Sequence, residues 1–243
     1  MEDEKDAFGH ALYEHFLGTE APIIIERDDG NIDVSADTDM YFREYELWEQ
    51  SERSAIDQAV GRVLDIGAGA GRHALHLQNH GHDVVALDNS PLAIEVMKLR
   101  GIRHTALMPV TQVSSKLGIF DTIIMMGNNF GLAANEKRAK WLFRRFYSLT
   151  PPDARVIATS LDPQTTTDPI HLAYHERNRR RGRLPGQVRI RARYRIYIGE
   201  WFEYLLVSQP EMEDILTGTG WHVESVIASD SPVYFATIRK DVR

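Results

Sequence analysis

The stretch that decides the fold is VLDIGAGAGRHALHL, residues 63–77, in which an apolar run leads into a ladder of glycines and then into an amphipathic segment. This order predicts a buried strand, a tight loop and the start of a helix. Glycines in such a loop let a ligand approach the bare backbone where the helix begins. The stretch therefore predicts a ligand site, and the surrounding sequence must identify the ligand.

Length and composition narrow the class of protein. The chain has 243 residues, no cysteine and a formal net charge of −7. This length is enough for one α/β domain with a full core. The absence of cysteine excludes disulfides and thiolate metal sites, and no apolar run approaches the roughly 20 residues of a membrane helix. The acidic start MEDEKD is not typical of a signal peptide. We expect a soluble, cytoplasmic protein without a membrane partner.

Beyond residue 60, short apolar runs alternate with amphipathic segments. The runs begin at Val63, Asp83, Ile102, Asp121 and Arg155. Apolar strands separated by helices predict a parallel sheet with helices on both faces. Two further runs near the end, WHVESVIA and VYFATIR, follow each other across a short turn at residues 230–232. Strands joined so tightly must be antiparallel, so the sheet should finish in an antiparallel hairpin.

The remaining segments also carry local signals. Residues 4–17 and 40–59 have helical spacing, and Asp29-Gly30 between apolar runs predicts a small hairpin. A helix opened by Asn135 is expected to pack Trp141, Leu142 and Phe146. Ser208 and Glu211 have capping-box spacing before another helix.

The spacing of the glycines separates two ligand classes. Gly67, Gly69 and Gly71 are followed by Arg72, where a dinucleotide loop would carry its third glycine. No Gly-Lys-Ser/Thr follows either, which excludes a P-loop. Asp88 ends the second strand, 21 residues after Gly67. A carboxylate at that place can accept hydrogen bonds from both hydroxyls of a ribose.

The stretch VLDIGAGAGRHALHLQNHGHDVVALDNSPLAIEVM resembles the cofactor-binding half of class I S-adenosylmethionine-dependent methyltransferases. The resemblance covers residues 61–161 by motif and 208–243 by pattern only. Within the superfamily, the chain is similar to small-molecule methyltransferase-like proteins. It implies a Rossmann-like, mostly parallel sheet of seven strands with a terminal antiparallel hairpin. We expect one domain: an extension at 1–60, the core at 61–161, an insertion at 162–207 and the last helix and strands at 208–243.

The resemblance also implies roles for individual residues. Asp65 and the backbone of Gly67, Ala68 and Gly69 would meet the methionine end of S-adenosylmethionine. Asp88 would hold the ribose, with Asn89 and Met108 beside the adenine. Gly127 and Asn128 would lie where the methyl donor meets the acceptor. The sequence GNNF at that fourth strand lacks the two prolines that adenine methyltransferases of this class often carry, which argues against nucleobase amines.

Candidate catalytic side chains are few, because aligning the acceptor with the methyl group is the main task of such an enzyme. His171, Tyr174 and His175 would share one face of a helix, and Asn129 could orient a substrate. His171, Tyr174 and His175 are better explained as the polar surface of a loop and helix, whereas Asn129 could equally hold its loop. His73 is best explained as a residue of the first helical turn that packs or bonds near the cofactor. His171 and His175 have zinc-type spacing without a third ligand, so no metal is predicted.

One basic segment stands out in the acidic chain. Residues 177–195 contain nine arginines and no acid. Arg189, Arg191, Arg193 and Arg195 alternate with mostly apolar residues, so a strand would place all four on one face. A returning strand around Gly199 would complete a hairpin lid over the acceptor. The first explanation is cross-strand pairing with Glu200 and Glu203 plus solvated surface, but these two acids cannot neutralise four arginines. An anionic acceptor or a partner subunit's acidic face therefore stays open as the alternative.

These observations predict methyl transfer from S-adenosylmethionine to a small-molecule acceptor. Two alternatives stay open: an RNA or protein methyltransferase that uses segment 177–195, and a non-catalytic S-adenosylmethionine-binding module. A single basic island on an acidic chain argues against a nucleic-acid partner. A dehydrogenase is the residual possibility, and it would bind NAD.

Overall fold

The computed structural model describes residues 1–19, 22–35 and 38–241. Its α-helices are α1 (Ala7–Phe16), α2 (Gln50–Ile56), α3 (Arg72–Asn79), α4 (Pro91–Leu99), α5 (Glu136–Tyr147), α6 (Pro169–Arg180) and α7 (Gln209–Leu216). Its strands are β1 (Ile23–Arg27), β2 (Ile32–Ser35), β3 (Arg62–Ile66), β4 (Asp83–Asp88), β5 (His104–Leu107), β6 (Thr122–Met125), β7 (Arg155–Leu161), β8 (Gln187–Tyr194), β9 (Tyr197–Ile198), β10 (Phe202–Leu205), β11 (Trp221–Ala228) and β12 (Val233–Lys240). None of the helices described is long and apolar enough to cross a bilayer.

The main sheet has seven strands in the order β11-β12-β7-β6-β3-β4-β5. The pairs β4·β5 and β6·β7 are parallel, whereas β12 pairs antiparallel with both β7 and β11. The middle strands are buried along almost their whole length, which is the reason for their nearly continuous apolar sequence. The predicted mostly parallel sheet with a terminal antiparallel hairpin is confirmed.

The described chain divides into two compact units. The first consists of Met1–Trp48, Leu64–Gln112 and Arg189–Phe202. The second consists of Glu49–Val63, Val113–Val188 and Glu203–Arg243. The glycine loop and the N-terminal helix α1 therefore belong to the first unit, and the loop after β6 belongs to the second.

The strands of the insertion do not form an isolated hairpin. They join a second sheet, in the order β10-β8-β1-β2 with β9 paired to β8, so they share it with the predicted N-terminal hairpin. In its register, Ile25 is opposite Ala192 and Glu26 is opposite Arg191. One face of this sheet buries Ile23, Ala192 and Tyr194 against Ala7 and Ala11 of α1. Packing against α1 requires this apolar face, which explains the alternation in the basic segment.

The predicted helix over residues 40–59 is wrong in its first half. Two short 3-10 helices, Thr38–Tyr41 and Tyr45–Leu47, precede α2, which begins only at Gln50. The backbone of Trp48 is extended, its side chain is buried, and its indole N–H donates to the carbonyl of Arg43 at 2.8 Å. Burial of this indole breaks the helical path, although the aromatic spacing along the sequence suits a helix.

Two smaller expectations are also corrected. The third strand begins at His104, not at Ile102, because Ile102 is buried beneath the glycine loop against Gly71. Leu142 and Phe146 of α5 are buried as predicted, but Trp141 is 41% exposed and lies under the guanidinium of Arg145. A tryptophan beside an arginine can remain at the surface because the cation covers its ring.

Gly71 allows a direct test of the packing beneath the glycine loop. Its φ is +75°, and an added Cβ would collide with Ile102 Cδ1 and lie 2.9 Å from Met97 Cγ. We expect Gly71→Ala to lower the free energy of unfolding by about 2–4 kcal/mol, from overpacking plus left-handed backbone strain. Gly81→Ala is the matched control, because its φ is +92° with no atom within 4 Å of the added Cβ.

Chemical denaturation of both variants measures the difference. Gly81→Ala should lose only the backbone contribution, about 1 kcal/mol. Equal losses in the two variants would show that the contact with Ile102 and Met97 is unimportant.

Candidate functional site

The glycine loop connects β3 to α3 in the first unit. Gly67, Gly69 and Gly71 have φ values of +70°, +56° and +75°, a left-handed backbone that favours glycine. The backbone N–H groups of Gly67 and Ala68 both donate to the carbonyl of Leu87, at 2.9 and 3.0 Å. These bonds hold the loop against the end of β4. The ladder of glycines is thus required by the path of the chain.

Asp65 is a buried carboxylate in β3, just before this loop. Its side chain is 2% exposed, and its Oδ2 has no hydrogen-bond partner among the described residues. Burial and, to a smaller extent, the charge of Asp88 together raise the pKa of Asp65 to about 7, against the lowering effect of the backbone N–H of Ala74 and the charge of Arg72. A buried acceptor without a donor is unstable unless it is protonated or meets a cationic ligand.

Asp88 ends β4 beside the loop. Its Oδ2 accepts a hydrogen bond from the N–H of Gly69 at 2.9 Å, and its Oδ1 accepts one from the N–H of Ser90 at 2.9 Å. Burial raises the pKa of Asp88, while these backbone N–H groups lower it and the charge of Asp6 raises it. Each carboxylate oxygen retains a further lone pair for a ligand hydroxyl.

The remaining residues predicted at the first part of the site lie close to Asp88. Asn89 follows it and is exposed. The backbone N–H of Met108 donates to the carbonyl of Asp88 at 2.9 Å, so the chain after β5 runs directly beside it. The structure therefore brings together Asp65, the glycine loop, Asp88 and Met108 within the first unit.

The N-terminal helix α1 lies over the glycine loop. An ideal Cβ on Gly69 would be 3.9 Å from Leu12 Cδ1 and 4.0 Å from Phe8 Cε1. Leu12 also packs against Ala70 at the helix start. The ring of Tyr41 meets that of Phe8 edge to face at 5.1 Å. The apolar side chains of α1 and Tyr41 thus cover one side of the loop.

Sequence reasoning missed Asp6 in this part of the site. The predicted helix began at residue 4, which placed Asp6 inside it, whereas Asp6 is the N-cap of α1. Its carboxylate also accepts a hydrogen bond from the hydroxyl of Ser90 at 2.7 Å. An aspartate just before the apolar spacing of α1 was the available signal for a cap. Its contact with Ser90, 84 positions away, has no local signal.

Gly127, Asn128 and Asn129 follow β6 in the second unit. Gly127 and Asn128 both have φ values of +65°, and asparagine is among the few residues that adopt this backbone readily. The hydroxyl of Tyr204 in β10 donates to the backbone carbonyl of Asn128 at 2.6 Å. Asn128 Oδ1 is buried without a hydrogen-bond partner in the part of the chain that the structure describes. Sequence reasoning did not single out Tyr204, which has no motif around it.

The three candidate catalytic residues of α6 share a helix face, as predicted. Tyr174 and His175 are only 4% and 6% exposed, so they belong to the interior of the second unit. The guanidinium of Arg177 lies 4.3 Å from the centre of the Tyr174 ring. The amide of Asn178 donates to the carbonyls of Pro185 and Gln187, which holds the chain between α6 and β8. These contacts favour a structural function for this helix face.

His73 and the metal question can be treated together. His73 is 6% exposed, and its ring lies 4.8 Å from that of Trp48, in agreement with a packing residue. Across residues 1–19, 22–35 and 38–241, no group of three or more His, Cys, Asp or Glu side chains could hold a metal ion.

The arginines of β8 find carboxylates that the sequence did not indicate. Arg191 makes two hydrogen bonds to Glu26 of β1, at 2.9 and 3.0 Å, and Arg193 makes a third at 3.1 Å. Arg195 pairs with Glu14 of α1 at 3.2 Å. The expected partners bind elsewhere: Glu200 contacts Lys5, and Glu203 contacts Arg183. β1 and α1 thus supply acids that the sequence did not indicate, although Arg191 and Arg193 share the single carboxylate of Glu26.

Comparison with known proteins agrees with this fold. Residues 63–153 match the family model described as a methyltransferase domain. The chain is also similar to the crystal structure of an S-adenosylmethionine-dependent methyltransferase from Bacteroides fragilis in complex with S-adenosylhomocysteine. That match has a TM-score of 0.85 and 26% identity, and covers 100% of this chain and 98% of that one.

Two curated relatives match one half of the chain. The glycine/sarcosine N-methyltransferase of Halorhodospira halochloris is 28% identical in an alignment of length 146 that covers 50% of this chain and 54% of the relative. The glycine/sarcosine/dimethylglycine N-methyltransferase of Actinopolyspora halophila is 28% identical in an alignment of length 147 that covers 50% of this chain and 26% of the relative. The chain thus spans about half or less of the length of these relatives. Residues 63–153 thus form a methyltransferase domain, and the fold of the chain is similar to that of class I S-adenosylmethionine-dependent methyltransferases.

Proposed function

We propose that this protein binds S-adenosylmethionine at the glycine loop and transfers its methyl group to the nitrogen of a small-molecule amine. The observation that carries the proposal is the buried, unpartnered Oδ2 of Asp65 beside a glycine loop, with Asp88 at the end of the next strand. The buried carboxyl group of Asp65 and the half-buried carboxylate of Asp88 would repel a pyrophosphate, which disfavours NAD at this loop. They suit a ligand with an ammonium group at one end and ribose hydroxyls in its middle.

The residues at the loop fit the cofactor as follows. Asp65 would hold the ammonium group of the methionine end, since an opposite charge stabilises a buried carboxylate. The backbone of Gly67, Ala68 and Gly69 would lie along that end, without a side chain from the glycines. Asp88 would accept hydrogen bonds from the ribose hydroxyls. Asn89 and Met108 would border the adenine.

When bound, S-adenosylmethionine supplies a methyl carbon attached to a positively charged sulfur. The protein's own contribution is to bind, to orient and to exclude water from the reacting pair, which can supply about 7–11 kcal/mol through proximity. In the transfer, an unprotonated acceptor nitrogen forms the new C–N bond, the C–S bond breaks, and S-adenosylhomocysteine leaves. The nitrogen then releases its proton to solvent, so no dedicated base is assigned.

The choice of an amine rests on the relatives. Both curated relatives are named as N-methyltransferases of glycine and its methylated derivatives. Each match covers only 50% of this chain, so the acceptor class is inferred and the particular amine is left to experiment. The ion pairs of Arg191, Arg193 and Arg195 with Glu26 and Glu14 give no support to an RNA substrate or an anionic acceptor.

The insertion at residues 162–207 would form the wall of the acceptor site. This proposal is supported by Tyr204, whose hydroxyl donates a hydrogen bond to the backbone carbonyl of Asn128. Asn128 has a left-handed backbone and follows β6. The ring of Tyr204 lies so close to Gly131 that any Cβ there would collide with it. Tyr204 would therefore set the position of the Asn128 side chain toward the acceptor. His171, Tyr174 and His175 are not needed in this proposal.

Calorimetry with S-adenosylhomocysteine is the first test of the function. We expect the wild type to bind it, and Asp88→Ala to lose at least about a hundredfold in affinity, because two hydrogen bonds to a charged group are removed. Glu95→Ala, on the exposed face of α4, is the control and should bind as the wild type does. A wild type that ignores S-adenosylhomocysteine and binds NAD would make the protein a dehydrogenase.

The acceptor is tested separately, by release of S-adenosylhomocysteine from S-adenosylmethionine. A panel of small amines that includes glycine and sarcosine should contain a substrate, whereas RNA and protein substrates should not react. Tight cofactor binding without transfer to any acceptor would instead identify a non-catalytic binding module.

The raised pKa of Asp65 predicts a pH dependence of cofactor binding. Since its pKa is about 7 in the free protein, the carboxyl group is mostly protonated at pH 5.5 and mostly charged at pH 7.5. We expect the affinity for S-adenosylhomocysteine to rise about tenfold or more over this range, because only the carboxylate pairs with the ligand's ammonium group. An α-amino group titrates near pH 8, which sets the upper limit of the range.

Asp65→Asn should bind more weakly at pH 7.5 and lose this pH dependence. The ligand-free wild type should show the opposite trend in stability. Because the pKa of Asp65 is higher in the folded protein than in the unfolded chain, its protonated carboxyl group contributes fully to the stability of the fold below about pH 4. This contribution is lost as the pH rises through about 7. A flat affinity profile in the wild type would remove Asp65 from the ammonium site.

Tyr204 can be tested once an acceptor is known. We expect Tyr204→Phe to lower kcat/KM for the acceptor about fivefold through loss of one hydrogen bond, with unchanged affinity for S-adenosylhomocysteine. Gly131→Ala should act in the same direction, since its Cβ displaces the Tyr204 ring. Tyr197→Phe in the same insertion, where the ring stacks on His10 at 3.5 Å, is the control. Unchanged turnover in both test variants would contradict the proposal that the insertion forms the wall of the acceptor site.

A further inference from the structure

A single buried carboxylate links the N-terminal helix to the start of α4. Asp6 is 2% exposed, and its Oδ1 accepts a hydrogen bond from the N–H of Gly9, which caps α1. Its Oδ2 accepts hydrogen bonds from the hydroxyl of Ser90 at 2.7 Å and from the N–H of Leu92 at 3.3 Å. One side chain therefore satisfies donors at the beginnings of two helices.

Ser90 connects Asp6 with Asp88 through two hydrogen bonds. Its hydroxyl accepts a hydrogen bond from the N–H of Ala93 and so caps α4, while its own N–H donates to Asp88 Oδ1. Asp88 in turn holds the N–H of Gly69 in the glycine loop. A continuous series of hydrogen bonds thus runs from Asp6 through Ser90 to the carboxylate proposed to hold the ribose.

The contact explains a glycine inside α1. Gly9 lies within the helix, where glycine is less stable than alanine by roughly 0.5–1 kcal/mol. A Cβ at this position would collide with Ser90 Oγ and with the carboxylate of Asp6. Gly9 is therefore required for α1 to approach α4. The helix that makes this approach also covers the glycine loop with Phe8 and Leu12.

Helix capping alone does not require a carboxylate here. Serine or asparagine caps a helix as well as aspartate does. Either would avoid placing another negative charge near Asp88. However, the position faces three donors, from Gly9, Ser90 and Leu92, and a carboxylate has only acceptor oxygens. An amide would turn a donor toward one of them. A carboxylate at position 6 is thus better suited than an amide to the contact between α1 and α4.

We propose that Asp6 is a positioning residue of the cofactor site, which holds Ser90 and, through it, orients Asp88 for the ribose. Docking of α1 then completes the ribose-binding part of the site. This inference rests on the proposed function, because it concerns the same cofactor.

The experiment uses three variants of the full chain. Asp6→Ser keeps a good N-cap for α1 but is too short to hold Ser90 and Leu92. Gly9→Ala keeps every hydrogen-bonding group and forces α1 away from Ser90. Glu4→Gln is the control, since Glu4 is exposed in the same N-terminal segment and its change removes the same charge.

Two ligands are measured by calorimetry, together with the denaturant unfolding of each ligand-free variant. S-adenosylhomocysteine carries both the amino acid and the ribose, whereas 5′-methylthioadenosine carries the ribose without the amino acid. We expect Asp6→Ser and Gly9→Ala to lower the affinity for both ligands by the same factor, about tenfold, because the ribose contact is disturbed. Glu4→Gln should bind both as the wild type does.

The possible failures are distinct. If both test variants lose stability but bind the two ligands as tightly as the wild type, Asp6 is only a helix cap and the proposal is wrong. If they weaken S-adenosylhomocysteine alone, Asp6 acts on the amino-acid end and the proposal is also wrong. If Asp6→Ser does not fold, Gly9→Ala decides in the same way. A wild type that binds neither ligand would instead overturn the proposed function.

Discussion

The burial of negative charge at the ends of two neighbouring strands is the constraint on which the site depends. Asp65 and Asp88 lie in the neighbouring strands β3 and β4, and the charge of Asp88 adds to burial in raising the pKa of Asp65. Backbone N–H groups from the glycine loop and from the start of α4 point at Asp88 and offset part of that cost. Asp65 lacks such compensation at Oδ2. The fold thus leaves the carboxyl group of Asp65 without a partner at Oδ2 in the described part of the chain, and a cationic group of the ligand would compensate its charge.

Much of this arrangement could be predicted because its causes are local. Strands buried on both faces must be apolar throughout, and a loop with three residues of positive φ favours glycine at those positions. The structure of residues 62–88 can therefore be predicted from their own sequence. The cap of α7 is equally local: Ser208 and Glu211 form the reciprocal bonds that their spacing predicts. The positions of Asp65 and Asp88 follow from strand ends, which the pattern locates well.

What could not be predicted depends on contacts between distant segments. Glu26 and Arg191 are 165 positions apart, so charge counting within one hairpin left the arginines without partners. Trp48 ends a helical pattern because its indole is buried against α3, which no local spacing reveals. Asp6 and Tyr204 form hydrogen bonds with Ser90 and Asn128, and neither belongs to a sequence motif of the family. Residues that position other residues are therefore the ones that sequence patterns miss.

The pairing of β1 with β8 has a consequence for the engineering of this protein. The strand that follows α6 is held in register by Glu26 and buries its inner face on α1. An exchange of this insertion into a related scaffold would separate Arg191 and Arg193 from their carboxylate and expose Ala192 and Tyr194 to water. Such a chimaera would have to include residues 1–35 as well, so this segment and the insertion have to be exchanged together.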